Sequence, residues 1–233
     1  MDTSIAVLAG GKATRLYPKT LEIPKSMIEV AGKPFIHHQL ELLKKKGFRN
    51  VVLCLGNLHA EIVDYVGDGS KFGLNVKYSF DGDTLVGTGG AVMNAFELLS
   101  DPFMVMYGDS YLNIDFIDII EYFKSQSLKG LMTVLKNDDK WDKSNIDFRN
   151  GKILTYKKNA GGMFSYIDFG LSMLKKETFT GRVKNTAFDI NEVFISLIEK
   201  GELAGFEVRE RFYEIGSFSG IEETGKYILS LKS

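Results

Sequence analysis

Residues 5–16 read Ile5-Ala6-Val7-Leu8-Ala9-Gly10-Gly11-Lys12-Ala13-Thr14-Arg15-Leu16. The apolar run Ile5–Leu8 predicts a buried strand. It opens into paired glycines, then a lysine and an arginine. Glycine lets bare backbone approach a ligand closely, and exposed N–H groups beside two cations suit a phosphate chain. A Walker loop needs Gly, four residues and Gly-Lys-Ser/Thr; here Ala6 stands five residues before Gly11, and Ala13 follows Lys12. There is no Gly-x-Gly-x-x-Gly either. The readings left are a phosphate loop of another type and a plain strand-to-helix turn.

Further along, Pro24-Lys25-Ser26-Met27 supplies another lysine, and Gly108-Asp109-Ser110 supplies a carboxylate after an apolar strand. A polyphosphate cradle with a metal-binding acid is the start of a nucleotidyl-transfer site. Charge supports a small anionic ligand. The net charge is −1, which gives no electrostatic case for nucleic acid or an anionic membrane. Lys12, Arg15, Lys19 and Lys25 nevertheless share one stretch, opposed only by Glu22.

The first half alternates strand and helix. Strands are predicted at 4–8, 50–55, 75–80 and 103–107, with helices near 34–46, 59–66, 88–99 and 115–124. Pro34 fits a first helical turn, Lys44–Lys46 favour a helix end, and Gly47 stops it. This rhythm predicts an α/β fold: a Rossmann-like, doubly wound, mixed but mostly parallel sheet covered on both faces. The second half is β-rich. Strands are predicted at 130–136, 164–174, 203–208 and 212–215, with a hairpin of 146–148 and 153–156 turning at Asn150-Gly151. Asp189-Ile190-Asn191-Glu192 reads as a capping box for a helix to about 200, and a last helix opens at Ser217 or Ser219. We expect one domain over 1–233, with a nucleotide-binding half (1–112) and a β-rich α+β half (113–233) folded on the same sheet. Ligands in such sheets sit beyond the carboxyl ends of the strands, where Gly10, Gly87, Gly108 and Asp109 fall.

Composition agrees. The chain has 233 residues, 44% hydrophobic and 25% charged, enough for a core without staples. The lone Cys54 lies in a strand and reads as a core thiol, compatible with a reducing compartment. No signal-peptide pattern or membrane-length apolar run is seen, so a cytoplasmic protein is expected. His37, His38 and His59 read as structural, Trp141 as core or pocket wall, and Asn137-Asp138-Asp139 as solvated turn residues.

Residues 8–16, with Pro24–Met27 and Val30-Ala31-Gly32-Lys33-Pro34 behind them, resemble the sugar-1-phosphate nucleotidyltransferases, most of all the small heptose- and hexose-1-phosphate enzymes. That family usually reads Gly-Gly-x-Gly-Thr-Arg-Leu and then Pro-Lys-Pro. The resemblance implies a GT-A-like nucleotidyltransferase fold. It implies that Leu8, Ala9, Gly10, Gly11, Lys12 and Thr14 line the nucleotide, with Gly87 and Thr88 on the base and ribose side. Arg15 and Lys25 become the catalytic cations. Asp109, in a Gly-Asp motif, and Glu214, in place of the Asp of an Asp-x-Gly motif, become ligands of Mg²⁺. Lys158 takes the phosphate of the sugar phosphate, and Asp168 and Gly170 flank the sugar. Departures are Ala13 where Gly is usual, Glu214 for Asp, and Lys157 and Asn159 around Lys158. If residue 13 has positive φ, Ala costs about 1 kcal/mol there.

The reaction so implied joins an NTP and a sugar 1-phosphate to give an NDP-sugar and pyrophosphate for capsule or cell-surface glycan precursors. GTP with a heptose or hexose 1-phosphate is favoured, with UTP, CTP and dTTP open. Two other classes stay open: a non-catalytic sugar-nucleotide sensor, motivated by Ala13 and Glu214, and a metal-dependent glycosyltransferase using Asp81 and Asp83. Monomer and homodimer are both compatible with the sequence.

Overall fold

A computed structural model describes residues 1–11, 16–17, 23–56, 58–82, 84–157 and 162–231. Its elements run β1 (Ile5–Leu8), β2 (Glu29–Val30), β3 (Lys33–Pro34), α1 (Phe35–Lys45), β4 (Asn50–Leu55), α2 (His59–Val66), β5 (Asn75–Phe80), α3 (Gly87–Asn94), β6 (Phe103–Tyr107), β7 (Ser110–Tyr111), α4 (Phe116–Ser125), β8 (Gly130–Lys136), β9 (Ile146–Arg149), β10 (Lys152–Tyr156), β11 (Tyr166–Leu174), α5 (Ile190–Glu199), β12 (Leu203–Val208), β13 (Tyr213–Glu214) and α6 (Phe218–Ser230).

Strand residues point alternately to opposite faces, and here both faces are buried. On one face Ile5, Val7, Val51, Leu53 and Met104 pack with Ile36 and Leu40 of α1, Ile62 of α2, and Phe116, Ile119 and Phe123 of α4. On the other, Ala6, Val52, Cys54 and Val105 pack with Ala91 and Val92 of α3 and with Val193, Phe194 and Leu197 of α5. Burial on both sides is why these strands read as continuous apolar runs rather than alternating ones.

The nine-stranded sheet has the order β5-β4-β1-β6-β11-β8-β12-β10-β9. The first four of these strands are mutually parallel. β11 enters antiparallel between β6 and β8, β12 is parallel to β8, and β10 runs antiparallel to both its neighbours. The sheet is therefore mixed and mostly parallel in strand direction, as expected. Among the described residues, no helix is long and apolar enough to cross a membrane.

Local signals were obeyed closely. Asp115 caps α4 by accepting the Ile117 N–H (2.9 Å), and the capping box Asp189/Glu192 forms at α5. Ser217, not Ser219, caps α6 by accepting the Gly220 N–H. Asn150 and Gly151 both take positive φ between β9 and β10, the backbone a two-residue hairpin demands. Two expectations need correction. The helix near 88–99 ends at Asn94 and gives way to a 3₁₀ turn, Phe96–Leu98. The strand expected at 212–215 is only Tyr213–Glu214; it leaves the main sheet and pairs with β7. Its apolar content resembled a sheet strand, but its partner is the short segment just beyond Asp109.

Candidate functional site

A cavity of about 780 Å³ opens over the carboxyl ends of β1, β4 and β6. Its floor includes Leu8, Ala9, Gly10 and Gly11 from the end of β1. Gly87 and Thr88 line it from the start of α3, Lys25 from the 3₁₀ turn Lys25–Met27, and Asp109 from the turn after β6. Asp168, Gly170 and Glu214 complete the wall. Every expected site residue within the described part of the chain thus borders one cavity. Lys12, Arg15 and Lys158, expected to supply positive charge, and Thr14, expected at the nucleotide, lie outside the described residues, as do Ala13 and Asp83.

The central contact joins residues 84 positions apart: Lys25 Nζ lies 2.6 Å from Asp109 Oδ2. Two short turns make it. Pro24 leaves the chain extended, and the following turn closes with Met27 N–H donating to the Pro24 carbonyl (2.8 Å). The segment carrying Asp109 is held from below by the buried Gln39 of α1, whose Nε2 donates to the Ser110 carbonyl (2.9 Å). Glu214 arrives by backbone pairing, with Glu214 opposite Ser110 and the Ile215 N–H donating to the Asp109 carbonyl (3.0 Å).

This donor set can be compared with what magnesium requires. Mg²⁺ takes hard oxygens, usually one or two carboxylates plus substrate phosphates and water. Asp109 and Glu214 sit on adjacent backbone segments and supply that kind of set, and a cation, the Lys25 ammonium, already rests on Asp109. Among the described residues no group of three or more His, Cys, Asp or Glu side chains is arranged to hold a metal. The residues fit an ion shared with a bound phosphate, not an all-protein cage.

At the other end, β11 bulges between Asp168 and Ser172. Gly170 sits there at φ +88°, and a Cβ on it would meet the Tyr107 ring at 2.9 Å. The bulge turns Asp168 to the cavity wall. Its Oδ1 accepts the Gly170 N–H (2.9 Å), and its Oδ2 accepts the phenol hydroxyls of Tyr107 (3.0 Å) and Tyr156 (3.4 Å). Burial raises the Asp168 pKa above the usual carboxylate range, and the hydrogen bonds from Gly170 and the two phenols oppose it. Burial, reinforced by the Asp168 charge, pushes both phenols well up, so they stay protonated donors.

The sequence reading missed these two tyrosines. Tyr107 directly precedes Gly108-Asp109 at the end of β6, which was the available signal. Tyr156 carried none, because its role depends on a strand pairing far along the chain. Thr88 was expected on the nucleotide side. It also ties α3 to α5, donating to Asp189 Oδ1 (3.0 Å) and accepting the Ile190 N–H (2.9 Å). Gly87 was expected on that side too. In the structure, Cβ atoms on Gly87, Gly89 and Gly90 would strike Phe188, Thr186 and Val86, so their smallness also serves a close approach of the 186–188 segment.

The remaining side chains behave as structural groups or wall. Burial pushes the Cys54 thiol up to about 12, leaving it unreactive. His38 bonds the Val30 carbonyl (2.7 Å), and His37 bonds the Tyr65 hydroxyl (2.9 Å). Asp81 borders the cavity with its pKa raised by burial.

Comparison with known proteins agrees with this geometry. The nucleotidyl transferase family model matches residues 5–145, more than half of the chain. The chain belongs to that family. It is 27% identical over 223 residues to a UTP–glucose-1-phosphate uridylyltransferase of Synechocystis, covering 84% of this chain and 55% of that protein. It is 26% identical over 220 residues to an N-acetylmuramate alpha-1-phosphate uridylyltransferase of Neisseria meningitidis, covering 93% and 94%. Among solved structures, HddC from Yersinia pseudotuberculosis complexed with GMP-PN superposes with a TM-score of 0.79 at 23% identity, covering 97% of this chain and 99% of that one. That likeness is one of fold. The chain spans little more than half the length of the Synechocystis relative.

Proposed function

We propose that this cavity joins an NTP to a sugar 1-phosphate, giving an NDP-sugar and pyrophosphate. The observation that carries the reading is the 2.6 Å contact of Lys25 with Asp109 at the strand ends where ligands of such sheets sit. The names of the uridylyltransferase relatives, which act on glucose 1-phosphate and N-acetylmuramate 1-phosphate, support a sugar 1-phosphate acceptor.

The acceptor phosphate is already an anion, so no protein nucleophile is required. Catalysis reduces to aligning two phosphates and offsetting their charge. Lys25 holds the α-phosphate and lowers the repulsion between the two anions. The backbone from Leu8 to Gly11, with Lys12 and Thr14, cradles the triphosphate, and Arg15 follows charge onto the departing pyrophosphate. Gly87 and Thr88 border the nucleoside. Lys158 seats the acceptor phosphate, while Asp168 and Gly170 flank the sugar. Asp109 and Glu214 would hold Mg²⁺, which would supply charge neutralisation to the phosphates.

GTP is the favoured donor, and the Yersinia structure holding GMP-PN is consistent with it; the uridylyltransferase relatives keep UTP as the next candidate. A heptose or hexose 1-phosphate for glycan precursor synthesis is the favoured acceptor, in the cytoplasm. The test is pyrophosphate release with each of the four NTPs and dTTP against a panel including glucose 1-phosphate and mannose 1-phosphate, with and without Mg²⁺. Magnesium-dependent release with at least one pair is expected. No release with any pair refutes the reading.

A further inference from the structure

Residues 137–145 form a loop whose first three, Asn137-Asp138-Asp139, read in the sequence as solvated turn residues, yet it is tightly built. Asn137 and Ser144 are buried. Asn137 Nδ2 donates to the Asp142 carbonyl (2.7 Å) and lies 3.0 Å from Ser144 Oγ, while Asn137 Oδ1 accepts the Trp141 N–H (3.1 Å). The Ser144 N–H donates to Asp139 Oδ1 (2.7 Å), and the Asp139 N–H donates to Ser144 Oγ (3.0 Å). Both ends are stitched beside β11, where the Asn137 N–H donates to the Ser165 carbonyl and the Asn145 N–H to the Tyr166 carbonyl.

A clamp holds the loop from outside. The Arg211 guanidinium lies 3.6 Å from the centre of the Trp141 ring and 4.6 Å from that of Tyr213. It is also ion-paired to Glu223 of α6. Tyr213 stacks on Tyr227 at 4.0 Å. The loop is therefore locked to the same segment that brings Glu214 to the site.

What the lock presents to the cavity is Asp142, Lys143 and Asn145. Asn145 Oδ1 accepts the Asp168 N–H (2.9 Å), which places this loop at the acceptor end. Six carboxylates and only two cations line the cavity among the described residues. One cation, Lys25, rests on Asp109. The other, Lys143, has a side chain 71% exposed and only a loose contact with Asp139, at 3.9 Å. A phosphorylated acceptor entering beside Asp142, Asp168 and Asp189 meets three carboxylates, so a cation there in addition to Lys158 lowers the repulsion, and an ammonium on a loop whose backbone is already fixed supplies it without ordering that backbone.

We propose that Lys143 contacts the phosphate of the acceptor substrate and that Trp141 and Arg211 are positioning residues for it. This rests on the acceptor being a sugar phosphate, as proposed above. Lys143 is exposed, so Lys143→Met should fold normally.

The experiment titrates the full chain calorimetrically with glucose 1-phosphate and mannose 1-phosphate, in the presence of magnesium and the α,β-methylene analogue of each NTP, so that no turnover intervenes. Lys143→Met should weaken sugar-phosphate binding about 10- to 100-fold, the scale of one charge-assisted contact, and change binding of the nucleotide analogue less than about twofold. Lys143→Arg should keep most of the affinity. Arg211→Ala should weaken the same ligand, and the double variant should be no worse than the weaker single one, because both changes remove one contact. Unchanged binding in Lys143→Met, equal loss for both ligands, or no sugar-phosphate binding by wild type overturns the assignment of Lys143. Additive losses overturn the positioning role of Arg211. Binding through Lys143 without pyrophosphate release would refute the proposed reaction alone.

Discussion

Gly87 is where backbone conformation and close packing coincide, so its replacement has a magnitude that can be worked out. Its φ is +73°, and a Cβ would lie 2.6 Å from the Phe188 carbonyl oxygen. That oxygen accepts both the Gly89 N–H (3.0 Å) and the Gly90 N–H (3.3 Å). Alanine therefore brings the left-handed penalty and displaces an acceptor serving two donors, about 3 kcal/mol in all. For a chain of this size that is a fall of about 9 °C in Tm. Gly181 is the control: its φ is +84°, but nothing lies within 4 Å of its missing Cβ. Gly181→Ala carries the conformational penalty alone, about 1 kcal/mol and ~3 °C. Thermal unfolding of the two variants, followed by circular dichroism, isolates the close approach. If Gly87→Ala melts within about 2 °C of Gly181→Ala, the packing argument for the 87–90 segment is wrong.

Two other outcomes follow from the site. Thr88→Val removes both hydrogen bonds tying α3 to α5 and should cost about 1–2 kcal/mol in chemical denaturation, with Thr88→Ser near wild type; equal stability of all three would contradict that tie. Asp168 has a raised pKa in the folded state, so the folded chain binds more protons than the unfolded one above about pH 4, and its contribution to stability is lost as pH rises through the raised pKa. Asp168→Asn carries no such titration, so wild type should lose stability relative to this variant from about pH 4 upward, and a pH-independent difference would show that burial does not perturb this group.

The parallel half was legible because β1, β4 and β6 are buried on both faces and helices such as α1 and α4 carry their own start or stop. The apolar run Val51–Leu55, the Pro34 start and the Asp115 cap each point to one local structure, and the fold agreed with all of them. The site was legible where short motifs carry it, at Gly10-Gly11, Pro24-Lys25 and Gly108-Asp109. What stayed hidden depends on long-range pairing. Glu214 was placed beside Asp109 by the resemblance alone; the two-residue strand that pairs its segment with Ser110–Tyr111 is too short to announce itself. Tyr156 meets Asp168 because a bulge in β11 redirects the carboxylate. Asn137 looked like a solvated turn residue, because nothing in its neighbours says that Ser144 folds back onto it.

The central claim is that Lys25, set on Asp109 at the carboxyl ends of the parallel strands, aligns and neutralises reacting phosphates. Its most direct test is the turnover number of Lys25→Ala in the pyrophosphate-release assay, run on protein shown by thermal melting to be folded. Loss of this electrostatic contact should lower kcat by at least ~100-fold, whereas turnover close to that of wild type would contradict the account.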